Sequence, residues 1–216
     1  MQRLVATVQQ LAVFPVKSLP GTAPHRVEVG ADGLRGDRAL VLVGPGGEVL
    51  TAKHHPGLRA LELTGPPEAP LVSAPGAAPG DLDAVARALG LDGPVRLERA
   101  AGGARQVAPV HVVTLAERAA PGAGDSSRAN VVLDLPGEPG EPGEPAGAGA
   151  PAGALLRPEG ADGPVLRLTR RPRHCAGVFA DVLVPGVLRV GQRVLLEPGP
   201  HAPADGRAPG PAGAHG

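Results

Sequence analysis

The chain of 216 residues has one cysteine, two phenylalanines, and neither tryptophan nor tyrosine. A single cysteine excludes an internal disulfide, a thiolate zinc cage and a self-supplied iron–sulfur cluster. So few aromatic rings leave no stacking platform for single-stranded nucleic acid, and a formal net charge of zero leaves no basic field for a duplex. No apolar run reaches the roughly 18 residues that a membrane helix needs. The start, MQRLVATVQQLAVFP, lacks a charged region leading into an apolar one, so no export signal is expected. The expectation is a soluble, cytoplasmic protein without nucleic-acid or membrane partners.

Lysine is nearly as scarce. Of 21 basic residues only Lys17 and Lys53 are lysines, in a chain rich in Arg, Ala, Gly and Pro. An ammonium kept against that background suits a site that needs a point charge rather than a planar fork, because Arg is not its equivalent. Chance retention is the plainer alternative at each position. What is abundant is glycine, 33 residues, and proline, 27. They concentrate in residues 136–164 and in the last twenty or so, leaving Val- and Leu-rich segments able to fill a core of about 150 residues.

Short β-type segments dominate. LVATVQQLAVFPV (4–16), HRVEV (25–29), RALVLV (38–43), EVLTA (48–52) and LRALELT (58–64) are apolar or alternating, and GPGG (44–47) reads as a hairpin turn. DLDAVARALGL (81–91) reads as a helix, with Asp81 as its cap and Gly90 ending it. PVRLER (94–99) is a strand, PVHVVTLAERAA (109–120) a strand entering a short helix, and SRANVVLDL (127–135) is strand-like. Three G-E-P triplets then suggest a flexible surface insertion at 136–154, too short for a triple helix. VLRLTRRP (165–172) resumes order, and VFADVLV with VLRVGQRVLL reads as two strands around a Pro-Gly turn. The fold class expected is mainly β, a barrel with a few short α-helices. Domains are expected at 4–99 and 105–198, followed by a disordered tail at 199–216.

Four segments could carry chemistry. Phe14-Pro15-Val16-Lys17-Ser18 ends a strand on an ammonium and a hydroxyl, a pairing suited to a phosphate or a pterin edge; an exposed loop charge is the alternative. Gly33-Leu34-Arg35-Gly36-Asp37-Arg38 sets an arginine after a turn, where its fork could clamp a phosphate or merely pair with Asp37. His54 and His55 beside Lys53 point to opposite faces if extended, which makes them a poor chelate. Cys175 follows Arg170, Arg171, Arg173 and His174, surroundings that favour a thiolate able to ligate a soft metal or carry sulfur; an inert packed thiol is the alternative. No dinucleotide fingerprint, phosphate-binding P-loop, G-x-S-x-G or H-E-x-x-H occurs.

Taken in order, LAVFPVKSLPG, GLRGDRALVLVGPGGEVLTAKHHPGLRAL, PVHVVTLAE, SRANVVLDL, VLRLTRRPRHC and GVFADVLVPGVLRVGQRVLL resemble the MOSC family, the domain at the carboxyl end of molybdenum-cofactor sulfurases. The chain is most similar to members with an amino-terminal MOSC β-barrel, related to the mitochondrial amidoxime-reducing component. The resemblance implies a β-barrel that binds the molybdenum cofactor. It implies cofactor-binding roles for Lys17, Ser18, Arg38 or Arg35, Lys53, Thr114, Arg128 and Asn130, and the metal-ligating, catalytic role for Cys175. Lys53 stands where relatives have Arg, Ala129 where they have Pro, and Gln192 where they have Asp. Two functions follow from it. One is reduction of N-hydroxylated or other N–O small molecules, with electrons from a separate ferredoxin-like or flavin-containing protein. The other is a non-catalytic cofactor carrier or sulfur-transfer module with a Cys175 persulfide, partnered by a pyridoxal-phosphate cysteine desulfurase.

Overall fold

Apolar residues at alternate positions of LVATVQQL give a strand one buried face, and the same pattern recurs along the chain. The computed structural model describes residues 3–100, 108–120, 122–124, 126–135, 149–160 and 162–199. Its strands are β1 (Leu4–Leu11), β2 (Arg26–Gly30), β3 (Gly33–Leu34), β4 (Leu40–Val43), β5 (Glu62–Thr64), β6 (Leu71–Ser73) and β7 (Arg96–Arg99). They continue as β8 (Val110–Thr114), β9 (Val131–Asp134), β10 (Ala154–Pro158), β11 (Val165–Leu168), β12 (Val178–Val184), β13 (Gly186–Arg189) and β14 (Arg193–Pro198). The helices among the described residues are α1 (Leu82–Ala88) and α2 (Leu115–Ala119).

A closed barrel runs β1-β14-β10-β11-β12-β8-β9 and returns to β1, confirming the mainly-β expectation. Leu4 lies opposite Leu196 and Leu11 opposite Val131, so the first strand is the stave between β14 and β9. Among the described strands β8 and β9 pair in parallel, joined by the crossover that contains α2. Val8, Leu11, Val112, Leu133, Leu156, Leu166 and Leu196 fill the interior, and β2 and β13 add Val27, Val29 and Leu188 to the same apolar cluster. A second cluster draws Val16, Leu19, Leu42, Leu50, Leu58, Val72, Val85 and Val95 together beneath the β4–β7 and β5–β6 ladders and α1.

Several local expectations change. The extended run 4–16 leaves the barrel after Leu11; Val13 then bridges Thr22, and Val16 bridges Leu40. EVLTA forms one bridge, Val49 to Val43, on the edge of β4 that it shares with Val16 at Leu40, while β7 takes the opposite edge. The first half of LRALELT is a 3-10 turn over Pro56–Ala60, opened by proline and burying Leu58. VLRVGQRVLL is not one strand. It breaks at Val190-Gly191, where the Gln192 side chain accepts from the Arg189 N–H at 3.1 Å, and its first half pairs with β2 rather than with β12. The helix survives as α1, with Asp81 Oδ1 accepting from Ala84 N–H at 2.8 Å. Residues 136–148 of the expected insertion, and the expected tail from residue 200 onward, lie outside the described residues. Ala150 is fully buried, and β10 is a strand that its Ala/Gly/Pro-rich approach concealed.

Candidate functional site

The site grows from the way the FPVKS segment is stitched to the turn before β4. Arg38 N–H donates to the Phe14 carbonyl at 2.8 Å, Leu40 N–H to that of Pro15 at 3.0 Å, and Lys17 N–H to that of Leu40 at 2.9 Å. Asp37 adds a side-chain bond, its Oδ1 accepting from Phe14 N–H at 2.7 Å. Ser18 (φ 69°) and Arg38 (φ 51°) both adopt the left-handed conformation, which side-chain-bearing residues hold only when their surroundings dictate it. Each stands where one of these two segments bends.

Two guanidinium groups meet on one aromatic ring. Arg38 is buried, paired with the Asp37 carboxylate, and donates to the Arg128 carbonyl at 3.3 Å. Its Cζ lies 5.1 Å from the centre of the Phe14 ring, and that of Arg128 lies 4.4 Å away. Arg128 also donates to the Leu19 carbonyl at 2.7 Å, closing the Lys17–Ser18 turn against the 126–130 segment. Cations over a ring face are attracted by its quadrupole, so Phe14 lets two like charges sit close together. The half-buried ammonium of Lys17 has no ion-pair partner among the described residues, so this cation remains available to an anion.

Asn130 is fully buried and wholly committed to the scaffold. Its Oδ1 accepts from His111 N–H at 3.1 Å, its Nδ2 donates to the Ala12 carbonyl at 3.2 Å, and its main chain bonds to the same two residues. Thr114 caps α2 in a reciprocal box: its hydroxyl accepts from Glu117 N–H at 3.1 Å while Glu117 accepts from Thr114 N–H. The second oxygen of Glu117 holds Arg171 at 2.8 Å. Arg35 points away from the cluster and pairs at the surface with Glu28 (2.6 Å) and Glu68 (3.2 Å). Lys53 is exposed, and no hydrogen bond or ion pair joins it to Arg38 or Arg128 among the described residues.

Cys175 is half-buried on a turn that bridges to Gly124. The Ala176 N–H donates to the Ala123 carbonyl at 2.6 Å, and His111 Nε2 lies 2.9 Å from the Ala176 carbonyl. Burial pushes the pKa of His111 below that of an ordinary histidine; the Ala176 carbonyl opposes the shift, and the charge on Arg38 reinforces it. The cluster and the cysteine turn are therefore joined through Asn130 and His111. Phe14 and His111 were not singled out from the sequence. The signals were there: Phe14 is one of two phenylalanines, directly before PVKS, and His111 interrupts an apolar strand.

A cavity of about 740 Å³ lies over the Glu28–Ala39 turn, bounded also by Arg99, Ala108, Pro109 and Pro185–Val187. It reaches the cluster through Asp37 and Arg38, and neither Lys17, Arg128 nor Cys175 lines it. Size alone does not make it the site, and the convergence of charge weighs more. Among the described residues no three His, Cys, Asp or Glu side chains could hold a metal ion.

A closed barrel, a stitched basic turn and a single cysteine on a barrel loop thus define a mainly-β barrel protein with a basic corner. Residues 5–93 match the family model of the MOSC N-terminal beta barrel domain. No curated protein matches the chain. Among solved structures it is similar to the YuaD protein from Bacillus subtilis, at 12% identity and a TM-score of 0.43, over 91% of this chain and 98% of that one. That likeness is too weak to carry an argument.

Proposed function

We propose that this protein binds the molybdenum cofactor and reduces N-hydroxylated or other N–O small molecules with electrons from a separate protein. One observation carries the reading: Arg38 and Arg128 converge on Phe14 beside the Lys17–Ser18 turn, whose ammonium has no ion-pair partner among the described residues. The residues fit the group. Lys17 and Ser18 offer a point charge and a hydroxyl to a phosphate or pterin edge, the two guanidiniums add positive potential, and Cys175 offers the soft thiolate that molybdenum accepts. When bound, the cofactor would supply the two-electron oxygen-atom chemistry. The protein's part is to bind, orient and hold. Asp37 restrains Arg38, Phe14 gathers both arginines, and Asn130 ties their segment to the barrel wall. One cysteine cannot hold an iron–sulfur cluster, so electrons are expected from a partner.

A carrier reading draws on the exposed Arg170, Arg173 and His174 around Cys175, since positive neighbours favour a thiolate that could hold a persulfide. Molybdenum and pterin content of protein from a cofactor-competent host separates the two. The reductase reading expects near-stoichiometric metal and pterin in wild type, loss of metal in Cys175→Ala, and loss of both in Lys17→Ala. Wild-type protein that stays empty when cofactor is supplied defeats it, and a labile sulfur on Cys175 would then favour the carrier.

A further inference from the structure

We infer that His111 is a positioning residue for Cys175: its ring, fixed in the barrel wall, holds the Ala176 carbonyl and with it the turn that presents the thiol. The inference rests on the reading of Cys175 as a functional thiol. His111 lies in β8 with its exposure reduced to 2%, and Asn130 grips its main chain on both the N–H and the carbonyl side. Its ring leans on Phe179, centre to centre 5.4 Å at a tilt of 56°, so its plane is set from the side. A carbonyl can only accept, so the 2.9 Å contact with Ala176 requires the proton on Nε2 and thereby selects the tautomer.

The turn is shaped to reach that ring. Gly177 (φ 98°) packs its backbone directly onto β8, where a Cβ would run into the Val112 carbonyl and come within 2.8 Å of His111 Nε2. From the opposite direction Ala123 accepts the Ala176 N–H at 2.6 Å. The peptide units on the two sides of Ala176, adjacent to the thiol-bearing residue, are therefore each tied to a different element. Releasing the His111 tie frees the 176–177 peptide to rotate and the thiol to shift with it. A histidine that served only barrel stability could be replaced by another buried ring without changing the thiol. A positioning histidine needs its donor.

Cys175 is the only thiol in the chain, so intact-mass measurement of iodoacetamide alkylation on cofactor-free, full-length protein reads this site alone. For His111→Phe, alkylation should accelerate about fivefold to tenfold, the factor that one lost buried hydrogen bond puts on a local opening equilibrium. His111→Gln, whose amide can donate as Nε2 does, should stay within about twofold of wild type by the same measure. Val194→Ala, a core truncation in β14, controls for general loosening and should leave the rate unchanged. Should His111→Phe fail to fold, Gly177→Ala attacks the same contact from the turn and is expected to accelerate alkylation as well. Wild-type rates in the variant that folds, or an equal acceleration in Val194→Ala, overturn the inference. Cofactor content plays no part in this measurement, so failed molybdenum loading would sink the proposed function and leave the role of His111 standing.

Discussion

Replacing Asn130 with alanine tests whether this residue is a structural weld. The substitution removes two side-chain hydrogen bonds and orphans the His111 N–H and the Ala12 carbonyl, while the main-chain bonds of residue 130 persist. Each buried orphan costs about 1–3 kcal/mol, so the loss should total about 2–6 kcal/mol. For a domain of this size, at about 2–4 °C per kcal/mol, that lowers the unfolding midpoint by about 4–24 °C. Thermal unfolding followed by circular dichroism measures it directly. Asn130→Asp sharpens the reasoning, because it keeps an acceptor for His111 and turns an oxygen toward the Ala12 carbonyl. A buried carboxylate has a raised pKa, so its cost is present above the unfolded value and shrinks as pH falls and the acid becomes able to donate. An Asn130→Ala protein that melts with wild type would refute the weld and return the residue to the ligand-facing role implied by the family resemblance.

Phe14→Leu removes both guanidinium–ring contacts, worth about 0.5–2 kcal/mol each, and should lower the midpoint by several degrees; an unchanged midpoint means that the ring is not shared as described. Thr114→Ala breaks the capping box and should cost about 0.5–2 kcal/mol in denaturant titration, with no effect on the alkylation rate of Cys175. The folded-state pKa of His111 lies below its unfolded value, so its contribution to stability is complete above that unfolded value, about 6.5, and is lost as pH falls toward the folded one. His111→Gln, which does not titrate, should therefore show a flatter fall in unfolding midpoint between neutral and mildly acid pH than wild type. Equal slopes would remove burial as the cause.

The mainly-β class was legible because alternation and β-branched residues speak locally, as in LVATVQQL and RVEVG. Strand partners were not. VLRVGQRVLL reads as continuous because Gly191 and Gln192 resemble a polar interruption within a strand, and the preference of β13 for β2 is a long-range fact no window contains. Residues 154–158 were passed over because the composition around them is that of a linker. At the site, Arg38 was legible from its turn, as was Arg128 from the family resemblance, whereas their meeting on Phe14 depends on a contact across about a hundred positions of chain. His111 escaped notice because a buried, satisfied histidine leaves no periodic trace.

The barrel's closure sets an order on synthesis. With Leu4 opposite Leu196, β1 leaves a ribosome well before β14 and can be enclosed only after β14 has emerged. Until then β1 has at most β9 beside it and offers its other edge to any extended chain nearby. The cluster spanning Val16 to Val95 faces no such delay, since all its members are made before β8. Vectorial synthesis would thus set the basic corner's first half early and leave the β1–β14 seam to be closed last, its open edge exposed meanwhile to neighbours on the same message.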